Sequence, residues 1–89
     1  MTAAREPIEA FLDAEGPEGA HLVLEALERW QSDPIRRVDT LQMNEFDVLL
    51  DRDSGTAEIT GIIDAEITGS VGIRELEERA RMFLAALGG

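Results

Sequence analysis

With 89 residues, 19 acidic side chains against 8 basic ones and no cysteine, the chain rules out several classes of protein at once. A net charge of −11 repels nucleic acid and anionic membranes, so a protein partner with a basic surface is expected, with no direct nucleic-acid binding and no membrane association. Without cysteine there is no disulfide framework or thiolate chemistry, and no stretch approaches the roughly 20 apolar residues of a membrane span. A hydrophobic content of 44% supports folding, and the length fits a single small domain over residues 1–89 in a reducing, cytoplasmic setting. Aromatics are only 4% of the chain, so Ile, Leu, Val and Ala must fill a thin core. All eight basic residues are arginine.

Taken in order, Pro7 suits a helix's first turn, and Ile8, Phe11 and Leu12 share a face, which predicts a helix from Glu6 to Glu15 that stops at Gly16-Pro17. Leu22, Val23, Ala26, Leu27 and Trp30 recur at helical spacing and predict a second helix from Glu18 to Gln31, ended by Ser32-Asp33-Pro34. Glu25 and Arg29 stand four apart in the orientation that favours a surface ion pair. Val38, Leu41 and Met43 fit an extended segment. Glu45 to Arg52 alternates as a half-buried strand with Phe46, Val48 and Leu50 on its dry side.

The stretch Ala57 to Val71 has the strongest pattern in the chain. Its odd positions are apolar or glycine and its even positions are polar, apart from Ile62. Asp53-Ser54-Gly55-Thr56 supplies a turn, and pairing Asp53 with Thr56 sets Leu50 opposite Ile59, Val48 opposite Gly61 and Phe46 opposite Ile63. Fifteen strand residues at roughly 3.3 Å each would span about 50 Å, so a bend, a bulge or two successive strands is expected near Gly61 or Asp64. After Gly72, the spacing of Ile73, Leu76, Ala80, Phe83 and Leu87 predicts a helix to Leu87 with one apolar stripe. Glu75 with Arg79 and Glu77 with Arg81 are expected surface pairs. The fold class is α+β: a long twisted antiparallel hairpin or small sheet, with two N-terminal helices and one C-terminal helix on one face.

No cofactor, metal or catalytic set emerges from the residue types. His21 has no second histidine or cysteine nearby and reads as a surface residue. Asp51-x-Asp53-x-Gly55 fails as a calcium loop, because Gly55, Thr56 and Ile62 stand where an oxygen ligand, glycine and glutamate are required. Gly69 and Gly72 form no phosphate-binding pattern, and there is no lysine. Gly88-Gly89 reads as the end of a helix.

The wet side of the hairpin is the candidate site. In the expected register Asp47, Asp51, Glu58, Asp64 and Glu66 share it, with Asp51 facing Glu58 and with Leu49 and Ile62 as apolar anchors. Same-face carboxylates roughly 6.6 Å apart, twice the rise per residue, approach the spacing of nucleic-acid phosphates. These features point to a small non-enzymatic module that inhibits or neutralises a partner through a negative surface, as immunity proteins, antitoxins and phage inhibitors do, including nucleic-acid mimicry of the anti-CRISPR kind. The alternative is a structural homo-oligomer or chaperone-like protein assembling through the C-terminal helix stripe or a strand edge.

Overall fold

Pro7 opens the first helix with the residue that needs no N–H partner there, and α1 then runs from Pro7 to Gln31 in the computed structural model, which describes residues 6–63 and 66–88. The two helices expected on either side of Gly16-Pro17 are instead two arms of this one element. Gly16 alone leaves helical geometry, with φ 70° and ψ −163°. A side chain would strain that backbone, whereas glycine adopts it freely, and Pro17 falls in the first turn of the second arm, where its missing N–H costs no helical bond. The dipeptide therefore bends the helix and does not end it in a loop. Ile8, Phe11 and Leu12 from the first arm, and Val23, Ala26, Leu27 and Trp30 from the second, are all buried.

A four-stranded antiparallel sheet follows in the order β1 (Val38–Gln42), β2 (Phe46–Asp51), β3 (Thr56–Gly61) and β4 (Thr68–Gly72), each strand beside its sequence neighbour. Phe46, Val48 and Leu50 line the dry face with Gly61, Ile59 and Ala57 directly opposite them. This register is shifted two residues from the expected one, and the even shift leaves every side chain on its expected face. The turn causes the shift. Asp51, not Asp53, closes the hairpin, because its carboxylate accepts the Asp53 N–H at 3.0 Å and its carbonyl accepts the Gly55 N–H at 3.0 Å. Arg52 to Gly55 thus form a four-residue loop, with Gly55 at φ 68°.

Nor is the pattern from Ala57 to Val71 one long strand. It folds back on itself, so that Ile59 faces Gly69 and Thr60 faces Thr68, and Gly61 N–H donates to the Ile67 carbonyl at 2.9 Å. Both limbs keep the period of two because both present one face to the core. At Gly69 the start of α1 lies close against the sheet: a Cβ there would lie 2.8 Å from Pro7 Cγ.

Helix α2 (Ile73–Gly88) and both arms of α1 occupy the dry side. Its stripe is covered at the start and open at the end: Ile73, Leu76 and Ala80 are buried, Phe83 and Leu84 are partly buried, and Leu87 is 57% exposed. The stripe packs mainly along α1, with lesser contact to β3 and β4, and not mainly on the hairpin. Arg79 reaches Glu75 at 3.6 Å and Glu6 at 3.3 Å, and Arg81 reaches Glu77 at 3.3 Å, so both expected i,i+4 pairs form. Glu25 and Arg29 do not pair among the described residues.

Two side chains tie the layers together. Glu15, beside the kink, accepts the backbone N–H groups of Glu45 at 2.7 Å and Phe46 at 3.1 Å, which anchors the β1–β2 turn. Arg52 lies 4.4 Å from the centroid of the Trp30 ring and donates to the Trp30 carbonyl at 2.7 Å and the Asp33 carbonyl at 3.1 Å. Each carbonyl also accepts a backbone N–H at 3.2 Å, Trp30 from Asp33 and Asp33 from Arg36, so Arg52 fills the remaining acceptor capacity and its charge suits the C-terminal end of the helix dipole. Phe11 meets Phe46 edge-on, with ring centroids 5.8 Å apart, in the middle of the core.

Candidate functional site

The helices cover one side of the sheet, and the strand period sends every second residue to the other. Three positions on each of the four strands face outward, and the pairings align them in rows. One row is Val38, Asp51, Thr56 and Gly72; the next is Thr40, Leu49, Glu58 and Ser70; the third is Gln42, Asp47, Thr60 and Thr68. None of these positions is an arginine, and three are carboxylates. The nearest cations point the other way. Arg52 continues β2 on the helix side over Trp30, and Arg37 leads into β1 and pairs with Asp53.

Four of the seven sequence-predicted residues, Asp47, Leu49, Asp51 and Glu58, are therefore together on this face. Ile62 sits at its end, where its N–H extends the ladder by donating to the Glu45 carbonyl at 2.9 Å, and its side chain is 47% exposed. Glu66 is exposed in the turn before β4 and not on a strand, and Asp64 lies outside the described residues. The expected opposition of Asp51 and Glu58 does not occur: Asp51 faces Thr56, and Glu58 faces Leu49. The two-residue register shift separates those like charges, which removes a destabilising cross-strand pair.

The geometry of the patch centres on Leu49. Asp47 and Asp51 flank it along β2, Glu58 stands directly across from it on β3, and Leu49 is 37% exposed between them. From the strand rise and spacing, Glu58 is about 8 Å from each aspartate at the Cα level, while the two aspartates are roughly 13 Å apart. The carboxylates thus form a triangle around an apolar centre and not the straight 6.6 Å row expected from one continuous strand. Asp51 is partly committed to its turn. Asp47 differs: its Oδ1 is buried and has no hydrogen-bond partner among the described residues, a costly arrangement for an acid in a strand.

Sequence reasoning found the carboxylates but missed the rest of the surface. Val38, Thr40 and Gln42 from β1, and the hydroxyls of Thr56, Thr60, Thr68 and Ser70, complete the face. The alternation in Val38–Gln42 was the available signal, but five residues with one acid carry it weakly.

No protein-family model matches this chain, and no curated protein or solved structure matches it. Among the described residues no group of three or more His, Asp or Glu is placed to hold a metal ion, and no helix is long and apolar enough to cross a membrane. A depression of about 350 Å³ lies between the end of α1 and β1, lined by Arg29, Trp30, Asp33, Arg36, Asp39, Thr40 and Leu41. Its charges are largely spent internally, since Arg36 contacts Asp39 at 3.3 Å and Asp33 at 4.0 Å. His21 is exposed on α1, away from these groups.

Proposed function

We propose that this protein acts by binding rather than by catalysis, docking the open face of its sheet on a basic surface of another protein and so blocking that surface. The observation that carries the reading is the arrangement around Leu49: three carboxylates, no arginine on any outward position, and an exposed apolar side chain at the centre. A partner arginine or lysine can lay its aliphatic stem along Leu49 and bring its charge to Asp47, Asp51 or Glu58. Long-range attraction from a net charge of −11 would speed the encounter. The role is that of an inhibitor or neutralising protein of the immunity, antitoxin or phage-inhibitor type.

The test compares the intact chain with an Asp47→Asn, Asp51→Asn, Glu58→Gln variant as bait in cell lysate. The variant should keep its circular dichroism spectrum and lose a basic partner that the parent retains, with a flatter salt dependence. Equal capture by both at every salt concentration would remove the open face from the mechanism. Adding duplex DNA then sorts the partner: displacement shows that the covered surface is its nucleic-acid site, and retention shows that it is not.

A further inference from the structure

The two edges of the sheet differ in chemistry. In an antiparallel ladder alternate residues turn their N–H and C=O groups toward opposite neighbours. Arg37 and Met43 bond inward to Arg52 and Phe46, so in β1 the outward groups belong to Val38, Thr40 and Gln42. At the midpoint of that edge the Thr40 N–H is already taken by the Asp39 carboxylate at 3.0 Å, and Arg36 in turn holds that carboxylate at 3.3 Å. β1 is thus a blunted edge. On β4 the Gly61 to Ile67 bond sets the alternation, and the outward groups at the strand centre are the N–H and C=O of Ser70. Among the described residues no hydrogen bond reaches them, and β4 alone among the four strands has no charged residue.

We infer that β4 pairs antiparallel with β4 of a second copy about a two-fold axis at Ser70, joining two sheets into one of eight strands. A chain of net charge −11 repels its own kind, so the contact must avoid opposing acids, and this strand does. The same register adds an attraction. It sets Thr68 opposite Gly72 and, one step beyond the ladder, Glu66 of each copy beside Arg74 of the other. Arg74 is exposed in the first turn of α2, makes no hydrogen bond or ion pair among the described residues, and opposes the helix dipole there; an acid from outside the chain corrects both defects. The interface is isologous, so each pairing occurs twice. The contact leaves the outward carboxylates free and presents two copies of the open face side by side.

Sedimentation velocity and light scattering of the intact chain test this. The parent should run at twice its 9.8 kDa mass. Arg74→Glu and Glu66→Arg, which change exposed positions outside the core, should each weaken the dimer by about tenfold, since each reverses two symmetric pairs. The double reversal should restore it. Ser70→Pro, which removes the central donor, should give a monomer, while the open-face triple variant should stay dimeric. A parent that remains monomeric at about 100 µM overturns the inference, as does a dimer that ignores both reversals or reversals that fail to rescue each other.

Discussion

The two faces of the sheet are made by the same strands, one residue out of step, and they have opposite stability requirements. On the covered face Val48, Leu50, Ala57 and Ile59 are fully excluded from solvent against α1 and α2, and each contributes by removing apolar area from water. On the open face Leu49 and Glu58 contribute little to folding, Asp51 serves it by closing the turn, and Asp47 has a buried carboxylate oxygen with no partner among the described residues. The difference teaches that a residue's place in the strand period, and not the strand it belongs to, sets whether burial can stabilise it. Threonine and valine are the better strand formers, so strand propensity does not account for the acids and the leucine on the open face.

The largest expected effect lies on the covered face. Leu50→Ala should lower unfolding free energy by about 2 to 5 kcal/mol in a urea titration, a large share of what a domain of this size has. A loss under about 1 kcal/mol would mean that the covered face is loosely packed and the contrast between the faces is false. A smaller loss is expected where the helix layer touches the sheet. Gly69→Ala brings a Cβ against Pro7 and should cost about 1 to 3 kcal/mol, and adding Pro7→Ala should recover part of that cost in a double-mutant cycle. Strictly additive effects would show that the two residues do not meet.

The smallest effect has the opposite sign. Asp47→Thr on the open face should raise stability by about 0.5 to 1 kcal/mol, because it removes an unpartnered carboxylate and installs a better strand former. The same change should weaken partner capture. A variant that gains stability and keeps full binding would sharpen the site to Leu49, Asp51 and Glu58, whereas one that loses stability would show that Asp47 serves the fold.

Periodicity made most of the covered face legible. Phe46, Val48, Leu50, Ala57 and Ile59 alternate in the sequence, and even a two-residue error in register left them pointing correctly. The candidate site was legible residue by residue but not in its geometry. Asp47, Asp51 and Glu58 were identifiable as outward carboxylates, yet their triangle around Leu49 depends on which residues face each other, and that was decided by the Asp51 side chain closing the turn. Glu66 was placed on a strand because the alternation continues through it, although the chain has already turned back there.

Sequence by itself therefore determined the α+β class, the position of α2 and β2, the side of the sheet on which each residue of β2 and β3 falls, and the acidic balance of the chain. All of these follow from local rules: helical spacing, the two-residue strand period and the balance of ionisable groups. Tertiary structure alone decided that α2 packs mainly along α1, that Glu15 anchors the β1–β2 turn, and that Arg52 stacks on Trp30. Each of those choices depends on a contact between residues far apart in the chain, and the energy of such contacts is not written in any one stretch of it.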